Sequence, residues 1–304
     1  MTTTIPDKFA QTIREGYGDK GAVWLENLPS LIANYEERWS LTVRPPFANL
    51  SYNYAAPAVL ADGTECVLKL GVVNPELLCE IEALRLYDGH GIVKLLQADP
   101  EAGILLLEHL HPGIPLRMVA EDEAATAIAA QVMQQLWQPV LTNYPFPTVA
   151  DWARGMERLR REFDGGTGPF PKRLVKTAES LFAELLPSQA EPVLLHGDLH
   201  HWNILRATRH PWLALDPKGV VGEPAYEVGA WLRNPVDVLA DWSELSSIQA
   251  RRIDQFAEML GFDRQRLIGW GIAQAVLSAW WSYEDHGYGW DTAIFCAESL
   301  LELL

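Results

Sequence analysis

Cysteine is scarce in this chain, and basic charge is outnumbered. Among 304 residues only Cys66, Cys79 and Cys296 are cysteines. They form no CxxC pair and leave an odd count, which argues against a disulfide framework and favours a reducing, cytoplasmic setting. Lysine and arginine total 24 against 40 aspartates and glutamates, a formal net charge of −16. Such a surface repels the backbone of nucleic acids and attracts cations, so a nucleic acid partner is not expected and a cationic small molecule is. Long apolar runs are missing too. No stretch approaches the ~20 apolar residues of a membrane helix, and GIAQAVLSAWW (Gly271 to Trp281) reads instead as a buried helix. The opening MTTTIPDKFA holds no apolar signal core. There is no internal repeat and no low-complexity tail, and a soluble monomer without a membrane partner is the expectation.

What is present is ample apolar material, 48% of the chain, enough for a sizeable core divided between two lobes. Residues 1–40 read as helical, with SLIANYEERWSL carrying apolar residues near a helical period. The character then changes. Short apolar segments are split by ADGT, a hairpin turn at Asp62 and Gly63, and the second strand, ECVLKLG, ends at Gly71. NPELLCEIEALRLYDG reads as a helix with Pro75 in its first turn and Gly89 past its end. GIVKLLQADPEAGILLLEHL reads as two more strands about an Asp-Pro turn. From Glu121 onward helices take over, with EDEAATAIAAQVMQQLWQPV rich in helix formers. The expected class is therefore α+β: a small antiparallel sheet lobe with a leading helical segment over residues 1–110, then a larger, mainly helical lobe over 111–304.

One stretch concentrates polar chemistry between apolar flanks. VLLHGDLHHWNIL (Val193 to Leu205) holds three histidines, an aspartate and an asparagine. A metal hydrolase would draw on His196, His200, Asp198, His201 and Asp216, but there is no HExxH, and Gly197 weakens a helix here. Phosphoryl transfer suits the spacing better. In that division of labour a loop Asp orients the attacking hydroxyl, a loop Asn five residues on binds Mg²⁺, and a second Asp binds Mg²⁺ from the end of the next strand. Asp198, Asn203 and Asp216 supply these groups, and oxygen ligands are the types magnesium prefers.

LLHGDLHHWNIL, together with WLALDPKGVVGEPAYEVGAWLRNP, resembles the aminoglycoside phosphotransferases of the protein-kinase-like fold. More closely it resembles their streptomycin 6-kinase and hydroxyurea kinase branch, from about Tyr52 to Trp290. The resemblance implies ATP and Mg²⁺ as cofactors, Asp198 as the catalytic aspartate, and Asn203 and Asp216 as magnesium ligands. It places Lys69 as the strand lysine that pairs with ATP phosphates and Glu80 as its helix partner, with Glu82 as the rival on another face of the helix. LLLEHLHPGIPL looks like the hinge segment, where backbone groups from Glu108 to Leu110 would face adenine. There is no GxGxxG before Lys69. ANLSYNYAAPAV stands there, so Ser51 to Tyr54 would cover the phosphates. Asp216 is followed by Pro217 and Lys218 and not by Phe-Gly, so activation-loop switching is not implied. In PAYE, Glu227 stands where relatives often carry an aspartate that braces the catalytic loop.

The implied reaction is transfer of a γ-phosphoryl group to a hydroxyl of a small molecule, an aminoglycoside such as streptomycin at its 6-position. Another small metabolite or hydroxyurea is the alternative acceptor, and a non-catalytic nucleotide-binding pseudokinase the alternative class. For a cationic acceptor, DVLADW and AWWSYEDHGYGWD offer Asp237, Asp241, Glu284, Asp285 and Trp281, with Trp280 and Trp290 as further stacking candidates. Because Trp280 and Trp281 are adjacent, at least one of them should face the core.

Overall fold

The computed structural model describes residues 5–140, 146–235 and 244–304. The chain divides into two compact units, the first ending at His111 and the second beginning at Pro112.

The first unit is a five-stranded antiparallel sheet covered on both faces. Its strands are β1 (Leu41–Val43), β2 (Asn53–Leu60), β3 (Glu65–Gly71), β4 (Leu95–Asp99) and β5 (Ile104–Glu108), in the spatial order β1-β2-β3-β5-β4. The β2–β3 hairpin closes where the turn residues require it. Gly63 has φ 89°, and Asp62 Oδ1 accepts from the Thr64 N–H at 2.9 Å. Period-two alternation sends Tyr54, Ala56, Ala58, Cys66, Leu68 and Leu70 to one face. There they meet Phe9, Ile13, Leu28 and Ile32 of α1 (Asp7–Arg38) in one core. The expected leading helix is thus present but broken. Gly18 takes φ 55° and ψ −136°, so α1 is two helical pieces meeting at a kink, the second carrying Pro29. Helix α2 (Pro75–Tyr87) starts as its sequence prescribes: Asn74 accepts from the Leu77 N–H at 2.9 Å, and Pro75 needs no donor.

In the second unit, α9 (Arg264–His286) is the central element, buried from Leu267 to Leu277 and again at Ala279 and Trp280. Before it come α3 (Asp122–Leu136), α4 (Val149–Ala153), α5 (Gly155–Glu162), α6 (Lys172–Leu185), α7 (Val228–Leu232) and α8 (Leu245–Leu260), and α10 (Asp291–Leu301) follows. α5, α6, α7, α8 and α10 pack around α9, and α3 packs on α8. Asp263 caps the start of α9 through the Arg266 N–H at 2.8 Å, and Gly287, at φ 75°, ends it. Two small antiparallel sheets complete the unit: β6 (Pro112–Pro115), β9 (Ile204–Ala207) and β10 (Trp212–Ala214), and β7 (Gln138–Pro139), β8 (Val193–Leu195) and β11 (Val220–Gly222). They position one loop, because β8 delivers the chain into it and β9 takes the chain away. Among the described residues no helix is long and apolar enough to cross a membrane.

Candidate active site

The polar stretch picked out in the sequence is the β8–β9 loop, and two paired strands fix where it starts. Leu195 lies opposite Val220, so the loop leaves the sheet at His196. Gly197 has φ 84°. A Cβ there would lie 2.7 Å from the Trp152 ring and 3.0 Å from Val220, so only glycine fits. Beneath the turn sits Glu227, fully buried. Its Oε2 accepts from the His196 N–H at 2.7 Å and its Oε1 from the Gly197 N–H at 2.9 Å. The longer carboxylate thus reaches both N–H groups at the start of the loop. Burial pushes the Glu227 carboxyl up to about 7, against the N–H bonds to His196, Gly197 and Leu199 that pull it down.

The histidines are framework rather than ligands. His196 is fully buried; its Nε2 lies 2.8 Å from the Leu215 carbonyl and its Nδ1 3.3 Å from the Asp198 N–H. A carbonyl only accepts and an N–H only donates, so the proton sits on Nε2. Burial drives this imidazole down to about 4, which keeps it neutral. His201 stacks on Trp231, with ring centroids 3.6 Å apart, and Arg252 Nη2 approaches its Nε2 at 3.4 Å. Burial, reinforced by the Arg252 charge, holds His201 down to about 2. Arg252, 1% exposed, is held by Asp122 of α3 at 2.5 Å and donates to the carbonyls of Trp231 and Asn234. An ion pair whose arginine is buried thus backs the loop from behind.

Asp198 is presented at the front. Arg233 Nη2 donates to its Oδ1 at 2.8 Å. His200 Nε2 lies 3.6 Å from Oδ2, and the His200 Nδ1 accepts from the Trp202 N–H at 3.2 Å. Burial opposes ionisation of Asp198, but His200, Arg233 and Lys218 outweigh it and hold the carboxyl well below the usual range. The group is a carboxylate throughout the neutral range.

Asn203 and Asp216 are brought together by strand register. Ala214 of β10 faces Ile204 of β9, and the Leu215 N–H donates to the Asn203 carbonyl at 3.0 Å, so Asp216 follows one residue beyond Asn203's partner. Asn203 Nδ2 donates to the Asp198 carbonyl at 3.0 Å, which leaves Oδ1 as the amide's acceptor atom. Asp216 adopts φ 59°, a left-handed conformation uncommon outside glycine and favoured among the rest by Asn and Asp. An amide oxygen and a carboxylate form a hard-oxygen donor set, which fits Mg²⁺.

In the first unit, Lys69 and Glu80 meet. Lys69 alternates with Leu68 and Leu70, so it faces away from α1 and towards α2. Its Nζ lies 2.5 Å from Glu80 Oε1, with both side chains under a tenth exposed. Glu82 pairs instead with Arg85 on the surface. Ser51 is exposed in the turn before β2. At Glu108 the main-chain N–H donates to the Lys94 carbonyl and the carboxylate accepts the Lys94 N–H at 3.1 Å. The Glu108 N–H is therefore spent on the sheet, while Leu110, the next buried residue, lies past the strand end.

The expected acceptor residues fare unevenly. Asp237 and Asp241 lie outside the described residues. Glu284 makes a two-pronged pair with Arg158 at 2.6 and 2.9 Å, tying α9 to α5, and Asp285 is exposed. Trp280 faces the core at 3% exposure, whereas Trp281 is half-buried, its ring edge-on to Trp152 at 5.2 Å. Trp152 is a residue that sequence reasoning missed. It lies on α4, far upstream in the chain, yet its ring covers Gly197 and links Trp281 to the loop. Arg233 and Arg252 were missed too; the one available signal, Arg233 within the WLRNP segment, carried no spacing rule.

The fold and this loop define a protein-kinase-like phosphotransferase. A thermostable mutant of the aminoglycoside phosphotransferase APH(4)-Ia, solved with ADP and hygromycin B, superposes with a TM-score of 0.61 at 14% identity, covering 89% of this chain and 96% of that one. A choline kinase from Streptococcus pneumoniae gives a TM-score of 0.61 at 14% identity, covering 91% and 98%. Sequence narrows the class. Residues 38–286 match the aminoglycoside/hydroxyurea antibiotic resistance kinase family, and the chain belongs to that family. It is a small-molecule kinase. The streptomycin 6-kinase of Streptomyces glaucescens is 32% identical over 294 residues, 95% of this chain and 94% of that protein. The hydroxyurea phosphotransferase of Kitasatospora aureofaciens is 32% identical over 288 residues, 92% and 81% respectively.

Proposed function

We propose that this kinase transfers the γ-phosphoryl group of ATP to a hydroxyl of an aminoglycoside, with streptomycin at its 6-position as the leading acceptor. The observation that carries the reading is the joint placement of Asp198, Asn203 and Asp216 by one loop and one strand register. Asp198 orients the acceptor hydroxyl through Oδ2, since Arg233 occupies Oδ1. A carboxylate held this acidic is a weak base, so it takes the proton late, once the oxygen–phosphorus bond is well formed. Asn203 Oδ1 and the Asp216 carboxylate are the ligands for Mg²⁺, which when bound neutralises charge on the phosphate oxygens. Lys69, steadied by Glu80, pairs with the nucleotide phosphates. Most of the acceleration then comes from placement and fixed charge. The acidic surface favours a cationic acceptor, and Trp281 with Trp152 offers aromatic faces for it.

Hydroxyurea is the second reading, favoured by a hydroxyurea phosphotransferase as similar in identity as the streptomycin 6-kinase. The test is phosphoryl transfer by purified protein with Mg²⁺ and ATP, products separated by mass, over streptomycin, other aminoglycosides, hydroxyurea and simple sugars. A singly phosphorylated streptomycin that disappears with Asp198→Asn supports the reading. Transfer to hydroxyurea alone moves the assignment to the second reading. Absence of transfer to every acceptor refutes both.

A further inference from the structure

A second cluster of ligating side chains lies in the first unit, and the reaction makes no use of it. The β3–β5 register pairs Cys66 with Glu108. Continuing that ladder one step sets Glu65 opposite His109, and His111, two residues on, falls on the same side as His109. The side chains follow. His111 Nε2 lies 2.9 Å from Glu65 Oε2, and the His109 and His111 rings sit 4.2 Å apart at 44°. One ligand atom from each of the three residues lies within 4.8 Å of the others.

We infer that Glu65, His109 and His111 form a binding site for a single borderline transition-metal ion of the Zn²⁺, Ni²⁺ or Cu²⁺ class. Two imidazoles and a carboxylate are the donors such ions prefer, whereas Mg²⁺ takes oxygen. Ligand bonds of about 2.0–2.1 Å require the three atoms to draw in by one to two ångströms. The side chains have room to do so, since Glu65 is 60% and His111 47% exposed. Three protein ligands leave a further position for water. The ion would clip the start of β3 to the segment that follows β5, one step beyond the last β3–β5 pair, Cys66 with Glu108.

The test uses tag-free, metal-stripped full-length protein titrated with Zn²⁺ against a chromophoric chelator, with Co²⁺ as a spectroscopic substitute that reports coordination by imidazole. Wild type should bind one equivalent and gain in thermal midpoint. His109→Ala and His111→Ala should each weaken binding by about tenfold or more, and Glu65→Gln by less. Circular dichroism checks that each variant is folded. Asp216→Asn, which alters the catalytic loop, should leave this binding intact. No binding by wild type overturns the inference. So does binding that survives both histidine variants, which would point to other residues such as Cys79, or binding abolished by Asp216→Asn, which would place the ion at the catalytic loop.

Discussion

Replacing Glu227 by alanine isolates the support beneath the loop that carries Asp198. In the folded protein this carboxylate accepts the N–H groups of His196 and Gly197 at 2.7 and 2.9 Å from a fully buried position. Truncation leaves both donors without an acceptor, at about 1–3 kcal/mol each. Part of that cost is offset, because a carboxyl pushed up to about 7 by burial opposes folding once it is ionised. The sign follows from proton linkage. Between about 4.5 and about 7 the unfolded chain has released this proton and the native protein has kept it, so native stability falls as pH rises. At about 1.4 kcal/mol per pH unit, the wild type loses about 2 kcal/mol through this group between pH 5.5 and pH 8, and the alanine variant does not. Glu227→Ala should therefore cost several kcal/mol at pH 5.5 and about 2 kcal/mol less at pH 8, read by urea denaturation of each protein at both values. Activity should fall with it. A displacement of Asp198 by about 1 Å is worth about 10²-fold in kcat. Glu227→Asp, with the residue relatives often carry, should recover part of both losses. An alanine variant with wild-type stability at both pH values and unchanged kcat would refute the bracing role.

Three further outcomes follow from the same geometry. Arg233→Met removes one of the charges that hold Asp198 ionised, so the acid limb of the kcat–pH profile should move to higher pH; an unmoved limb would count against the catalytic role proposed for Asp198. Asp122→Ala leaves the buried Arg252 guanidinium without its carboxylate and should cost about 3–5 kcal/mol in chemical denaturation, far more than an exposed pair would. Lys69→Met alone should destabilise by a similar amount through Glu80, whereas the double change Lys69→Met with Glu80→Leu should restore most of the stability and none of the activity. Loss of stability without recovery in the double variant would argue against the pair as the source.

Features written locally were legible in the chain itself. The Asp62–Gly63 turn and the Asn74–Pro75 helix start depend on neighbours within a few residues, and the structure places them where sequence rules do. The polar loop announced itself because Asp198 and Asn203 are five apart between apolar strands. What sequence could not display are partners assembled from a distance. Trp152 meets Gly197 only because α4 packs beside the β8–β11 pair, and Arg252 reaches His201 from a helix some fifty residues downstream. The break at Gly18 escaped notice because the apolar period continues through it, whereas the left-handed backbone does not register in composition. Glu65, His109 and His111 were likewise invisible, since only the β3–β5 register makes neighbours of residues so far apart in the chain.

The neutrality of His196 and His201 has a consequence for the working range of the enzyme. Imidazoles ordinarily gain charge as a medium turns mildly acidic, and a cation appearing under Asp198 would retune it. Both rings are held uncharged down to about 4 and about 2. These two rings behind Asp198 therefore add no charge there on mild acidification, and of the groups that hold its carboxyl low, Arg233 and Lys218 keep a constant charge over that range.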